Sequence, residues 1–415
     1  MSSSFTRGVI EASVRGHRVL LKPLKHNEIV ALGLFSPHGA AADPVGLAGL
    51  GNLTQSVMQK GAGERDYQEL AEAIEELGSH VSAATAHDFT KFSLAASSRC
   101  FFPTLDLLED MLHRPTFEEE ELEKERKLQL ADLKLADDNQ YHYTHRHLMA
   151  LLYGDHPYAV STDGTPESVA AIAHRDILNC HHQHLQTQGA VVAVVGNFEP
   201  DAVLKRIESF LPDLQVPAKA LPAPRVQAPT QAEWANVLEL RKECEQAFLC
   251  CGWLTVPFDH PDYLPLRLLS AVLGEGMGSR MFMRLRDEQG LAYATGCSLA
   301  GHRSMSHLVM YIGTKPERVH ESIAGFQQII REACQVPPTE EELERARNFV
   351  LGHFLFDHQK NSRQAHFLGS FEVLGLGWQA DFTYSEQLRS VTGQRVFEAA
   401  QRYLTAPTLV KLLPN

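Results

Sequence analysis

Pro115-Thr116-Phe117-Glu118-Glu119-Glu120-Glu121-Leu122-Glu123-Lys124-Glu125-Arg126 and Pro338-Thr339-Glu340-Glu341-Glu342-Leu343-Glu344-Arg345-Ala346-Arg347 are two versions of one helix start. In each, a proline and a threonine precede a run of glutamates, which gathers carboxylates at the positive end of a helix dipole. An offset of 221 residues carries Leu122, Glu123, Lys124 and Arg126 onto Leu343, Glu344, Arg345 and Arg347. Acidic first turns are common, so a single match of this kind is weak. The elements ahead of each helix repeat in the same order, and together they predict an internal duplication of two similar α+β domains.

Working outward from the first copy, residues 14–21 and 29–35 read as paired strands joined by a polar link with Pro23. Helical periods follow at 47–60 and 67–77, the second closed by Gly78. Strands return at 80–84 and 91–96, then a helix at 104–113, and the long helix that runs to about residue 136. Beyond it, 147–153, 166–184 and 199–210 read as helices and 190–195 as a buried strand. The stretch 211–230 holds five prolines and no period, the mark of a semi-rigid linker. After it come a strand at 247–256, helices at 262–273 and 278–287, strands at 291–299 and 307–312, a helix at 316–334 and the second long helix. The reading is therefore an N-terminal domain at 1–211, a proline-rich linker at 212–233 and a C-terminal domain at 234–415, each a mixed sheet flanked by helices.

The chain has 415 residues, with 38 Lys plus Arg against 51 Asp plus Glu, a net charge of −13. No basic excess is available to neutralise phosphates, which argues against a general nucleic-acid or anionic-membrane binder and suits a basic or polypeptide ligand. The seven cysteines are odd in number and scattered without a Cys-x-x-Cys pair, so neither a disulfide framework nor a thiolate zinc site is signalled. No apolar run approaches the ~18 residues of a membrane span, and residues 1–8 are too polar for a signal peptide. A reducing, cytoplasmic setting without membrane insertion is expected.

Several strings match a known family. They are Asp43-Pro44-Val45-Gly46-Leu47-Ala48; Gly78 with Thr85, Asp88 and Thr90; Pro115-Thr116-Phe117; Glu125-Arg126; His156-Pro157-Tyr158; and Val194-Val195-Gly196-Asn197-Phe198. In the second half they are Leu273-Gly274, Ser279-Arg280-Met281-Phe282, and Leu285-Arg286-Asp287-Glu288-Gln289-Gly290-Leu291-Ala292-Tyr293, the most specific of all. On these residues the chain resembles the pitrilysin, insulin-degrading and mitochondrial processing peptidase family of inverted-motif zinc peptidases. The resemblance implies two homologous α/β domains in tandem, half of a clam-shell peptidase that closes on a second chain around an extended peptide. It also implies that Arg286 and Tyr293 bind substrate carbonyls, and that an edge strand in 80–96 pairs with the substrate backbone.

The departure from the family weighs more than the match. Where family peptidases carry His-x-x-Glu-His, this chain has Gly49-Leu50-Gly51-Asn52-Leu53. Gly49 and Leu53 cannot donate to zinc, and Asn52 is no general base. The further glutamate ligand of the family falls on Asp132, counting seven beyond Glu125, and one ligand makes no site. The expectation is a non-catalytic, substrate-binding subunit, with no cofactor of its own and with zinc on a homologous partner chain. The alternatives are a scaffold of the same fold without a proteolytic role and, third, a metal-independent enzyme in the old chamber; for the isolated chain a homodimer is the expectation. Without the family, Arg286 would be a helix C-terminal charge and Tyr293 a packed strand residue. The histidines at 142, 145 and 147, those at 181, 182 and 184, and the group His353, Asp357 and His358 read as solvated helix faces. The glycines of 274–278 read as a flexible loop, since no Lys-Ser/Thr follows.

Overall fold

A computed structural model describes residues 3–6, 8–186, 189–211 and 234–415 of the chain. The linker expected at 212–233 lies outside the described residues. The strands are β1 Ser3–Thr6, β2 Val9–Val14, β3 His17–Pro23, β4 Ile29–Ser36, the short ladder β5 Gly61–Ala62 and β6 Arg65–Asp66, β7 His80–Thr85, β8 Thr90–Ser97, β9 Val191–Gly196, β10 Asn236–Lys242, β11 Ala247–Leu254, β12 Ala294–Ala300, β13 His307–Thr314 and β14 Thr408–Pro414. The helices are α1 Leu50–Met58, α2 Tyr67–Glu76, α3 Phe101–His113, α4 Glu119–Asp138, α5 Gln140–Tyr153, α6 Pro166–Ala171, α7 His174–Gln186, α8 Pro200–Phe210, α9 Tyr263–Gly274, α10 Val319–Gln335, α11 Glu340–Asp357, α12 Asn361–Val373, α13 Ala380–Ser390 and α14 Gly393–Tyr403.

Two sheets carry the duplication. The first has the order β1-β2-β3-β9-β4-β8-β7, antiparallel except for the pair β3–β9. The second has the order β10-β14-β11-β13-β12, antiparallel except for β10–β14. Strand for strand, β3, β9, β4, β8 and β7 correspond to β10, β14, β11, β13 and β12. One expected pairing is replaced. The residues 14–21 and 29–35 do not pair, because β9 lies between β3 and β4. The first stretch instead contains a hairpin turn at Arg15-Gly16, both at positive φ, which pairs β2 with β3.

The chain forms two compact units that are not its two contiguous halves. Of the described residues, unit 1 takes those within Met1–Leu133, Ser161–Leu221 and Asp357–Phe382, and unit 2 those within Lys134–Val160, Pro222–Phe356 and Thr383–Asn415. The physical reason is that both faces of each central sheet are apolar. In unit 1, Val19, Leu21, Val30, Leu32, Val192 and Val194 point into the main core with α1 and α3. The alternate residues Leu20, Ala31, Phe35, Val191, Ala193 and Val195 point the other way, where Ala365, Leu368 and Val373 of α12 cover them with Trp378. In unit 2, α5 plays the corresponding part on β11 and β14: Tyr141 packs on Phe248 and Tyr311, and Leu148 and Leu152 lie over Gly252. The offset of 221 that relates the long helices also carries Gln140 onto Asn361, so α5 and α12 are equivalent elements.

The approach of α12 to the sheet rests on Gly369, which lies against the Phe35 ring so closely that a Cβ there would overlap it. Alanine would gain about 1 kcal/mol of helix propensity over glycine. Overpacking a buried ring costs about 1–3 kcal/mol, and this is the larger effect. Gly369→Ala is therefore expected to lower stability by about 0.5–2 kcal/mol, read as a lower urea midpoint. A midpoint equal to or above that of the parent protein would mean the helix stands further off the sheet.

Candidate functional site

The start of α1 is built from residues with little to offer a metal. The Asp43 carboxylate accepts from the backbone N–H of Gly49 at 3.1 Å and of Gly51 at 3.2 Å, satisfying the helix N-terminus. From α4, the Gln129 amide donates to the Gly49 carbonyl at 3.2 Å and to the Asp163 carbonyl at 2.8 Å. Asn52 donates to Asp163 Oδ1 at 3.0 Å, while the other carboxylate oxygen takes the Ser161 hydroxyl at 3.1 Å. Leu53 is fully buried in the core. The segment from Ser161 to Ser168 thus closes over the helix start, and Ser168 Oγ donates to the Ala48 carbonyl at 2.7 Å.

Gly49 sits at φ +92°, and a Cβ added to it would stand 2.6 Å from the Asp163 carbonyl oxygen and 2.9 Å from Gln129 Nε2. Backbone occupies the place an imidazole would need. Zinc takes imidazole, carboxylate or thiolate ligands, and Gly49, Asn52, Leu53 and Gln129 supply none of these. These residues do not fit a zinc ion. Asp132 is exposed, and the residue of α4 that reaches Gly49 is Gln129 instead. The signal for it was present in the sequence as a lone polar residue in the buried row Leu122, Gln129 and Leu133. Glu125 is engaged by Lys60 at 3.1 Å.

In unit 2, Arg286 lies in Phe282–Glu288, which is wound as a π-helix where an ordinary helix was expected over 278–287. Such wide turns recur at functional sites. Leu285 is buried while Arg286 is exposed, its guanidinium over the Phe282 ring at 4.9 Å. Two neighbouring arginines are neutralised. Arg280 grips Glu342 with two bonds of 2.7 and 2.9 Å, and Arg284 pairs with Glu332. Burial pushes the Glu342 carboxyl up, but Arg280 outweighs it and holds the group below its ordinary range. The hydrogen bond from Arg284 does the same for Glu332. Arg286 makes no ion pair among the described residues. Past the Gly290 turn, Tyr293 is 52% exposed, and its backbone N–H donates to the Gly313 carbonyl at 3.0 Å just ahead of β12. Its hydroxyl has no hydrogen-bond partner among the described residues.

Other features fall into place around these. Among the described residues, β7 ends the first sheet, paired with β8 on one side only, so it presents an open ladder edge. The loop after α9 is anchored by Glu275, which takes bonds from Arg267 at 2.5 Å and Ser270 at 2.6 Å, while Met277 stands exposed. Among the histidines, the solvated-face reading does not hold for His181 and His184, which are buried because α7 packs along α1. Burial also pushes His145 down to about 4. His358 is bonded to Asp381 at 2.7 Å and Asp357 to Arg363 at 2.8 Å.

The two α/β domains, each a mixed sheet flanked by helices, have a peptidase-like fold. The chain belongs to peptidase family M16: residues 18–166 match the family model "Insulinase (Peptidase family M16)" and residues 171–350 match "Peptidase M16 inactive domain". It is similar to the uncharacterized zinc protease YmxG of Bacillus subtilis strain 168, with 25% identity over 399 residues that cover 96% of each chain. Among solved structures, it resembles a peptidase M16 inactive domain from Pseudomonas fluorescens, with a TM-score of 0.88, 22% identity and 98% of each chain covered. A protease from Helicobacter pylori also has a TM-score of 0.88, at 20% identity, covering 97% of this chain and 99% of its own.

The closed geometry at Gly49 makes restoration of the motif a sharp test. The triple variant Gly49→His, Asn52→Glu, Leu53→His is expected to show no zinc-dependent peptide cleavage. The clash at position 49 alone should lower stability by about 1–3 kcal/mol. A fluorogenic peptide assay with added zinc, together with thermal unfolding, measures both, and chelator-sensitive cleavage by the variant would refute the closure.

Proposed function

We propose that this chain is the non-catalytic, substrate-binding subunit of a heteromeric zinc metalloendopeptidase that acts on peptides or unfolded polypeptides. The zinc and the general base are supplied by a homologous partner chain with an intact His-x-x-Glu-His. The observation that carries this reading is Arg286, an exposed guanidinium that makes no ion pair among the described residues, followed seven residues later by the half-exposed Tyr293, in a chain whose own metal-helix positions are closed. A scaffold has no need for an unneutralised donor pair, whereas a substrate carbonyl gaining negative charge during attack does. The open edge of β7 gives an extended peptide a ladder to join, which needs backbone groups and few side chains. The net charge of −13 favours a basic or neutral polypeptide over a polyanion.

The compartment fits the same picture. All seven cysteines are unpaired, and burial pushes the Cys250, Cys251 and Cys297 thiols well up, which suits a reducing cytoplasm. Among the described residues, no helix is long and apolar enough to cross a membrane. Without its partner, the chain is proposed to be inactive toward peptides and to self-associate as a homodimer.

Mixing with the zinc-bearing partner tests the reading. Arg286→Ala and Tyr293→Phe each remove one donor, and loss of such a donor typically lowers turnover about 100- to 1,000-fold. Size-exclusion chromatography should show assembly unchanged. Full activity in both variants with intact assembly would transfer the assignment to the scaffold reading, and loss of assembly would mean that the pair lies on the subunit interface.

A further inference from the structure

The face of α1 that turns away from Asp163 meets a second, independent group of donors. Thr54 and Gln55 on that face look toward α7, where Cys180 and His184 stand one helical turn apart. The chain leaving β4 adds His38 through Pro37. His38, Cys180 and His184 are all buried within unit 1, and their ligand atoms lie within 4.8 Å of one another. Cys180 Sγ and His184 Nε2 are 3.6 Å apart. Bonds of ~2.3 Å from metal to sulfur and ~2.0 Å from metal to nitrogen, meeting at an angle between tetrahedral and trigonal, span about 3.5–3.7 Å. The His38 ring stands edge-on to that of His184 with centroids 4.7 Å apart.

We propose that His38, Cys180 and His184 form a buried three-coordinate site for one closed-shell d10 cation, zinc(II) or copper(I). One thiolate and two imidazoles suit these borderline and soft ions, and the absence of carboxylate ligands in the trio disfavours magnesium and calcium. Gln55 orients the site. Its amide lies 2.7 Å from His184 Nδ1, and with Oε1 turned to accept the Nδ1 proton it leaves the Nε2 lone pair facing Cys180. Among the described residues, the Gln55 Oε1 is a buried acceptor without a partner, so turning the amide gives that oxygen a donor. Binding breaks the Cys180 S–H bond, forms a sulfur–metal bond and releases one proton to solvent. Copper(I) with one thiolate is neutral, whereas zinc(II) leaves one positive charge that the nearby Asp43 carboxylate offsets. The site is separate from positions Gly49, Asn52 and Leu53, none of which belongs to the trio.

The test uses the full-length chain, stripped with a chelator, dialysed, and titrated in separate arms with zinc(II), copper(I) under reductant, and cobalt(II) as the spectroscopic probe. One equivalent of zinc or copper should survive dialysis, and the arm that retains it names the ion. Cobalt should give a thiolate charge-transfer band that is absent in Cys180→Ala. Gln55→Leu should weaken binding about 10- to 100-fold. If Cys180→Ala does not fold, X-ray absorption of the loaded parent protein decides in its place, with one sulfur and two nitrogen neighbours expected. Less than a tenth of an equivalent retained in every arm, a cobalt band that survives in folded Cys180→Ala, or no sulfur neighbour would overturn the proposal and leave a hydrogen-bonded core cluster.

Discussion

Each central sheet has two apolar faces, and covering both is the constraint from which the architecture follows. A strand such as Val191–Gly196, buried at every position, cannot leave either side to water. Fully burying one Leu- or Phe-sized side chain stabilises by about 1.5–3 kcal/mol, so an uncovered face with Leu20, Phe35, Val191 and Val195 would cost several times that. The helices α1, α3 and α7 of the first half occupy one side only, and α12 closes the other. In unit 2, α5 answers the same need. Because α5 and α12 are equivalent by the duplication offset, the exchange is reciprocal: each half of the sequence gives the same helix away and receives its counterpart. A chain cut at the linker would leave both sheets with a bare face.

Much of this was legible in the residues. Strongly patterned elements such as β8, with its strict alternation of buried and half-buried positions, and α8, with its apolar stripe, fall where the sequence places them. The repeat was visible because surface glutamates at a helix start carry information about position that core residues do not. What could not be read depends on distant partners. The hairpin at Arg15-Gly16 is hidden inside an apolar run, and the insertion of β9 between β3 and β4 is a matter of topology that no local pattern records. Helix α12 has an indistinct pattern because small residues, Ala365, Gly369 and Ser370, line its closest contacts. The single helix read over 166–184 is broken at Ile172, where the chain takes an extended conformation before α7 begins.

The candidate site divides in the same way. That Gly49, Asn52 and Leu53 lack the donors for zinc is plain from their chemistry. That the position is also shut, by the Asp163 carbonyl and Gln129, needed the fold, since residues 49, 129 and 163 are far apart in sequence. Counting along α4 pointed to Asp132, but the helix turns that residue to solvent and Gln129 inward. Arg286 was legible as a motif member. That it has no counter-charge among the described residues was not, because Glu332 and Glu342 are equally available on paper and are taken by Arg284 and Arg280.

Helix α1 shows how one element can lose a chemistry without losing its place. Its first turn is fixed by Asp43, Gln129 and the Asp163 loop through hydrogen bonds to backbone groups, and these hold whatever side chains follow. Its inner face is fixed by packing on α7, where Leu53, Val57 and Met58 carry the apolar burial and Thr54 and Gln55 the polar contacts. A helix anchored from both sides has no room to adopt a ligand at position 49, and no need of one to stay folded.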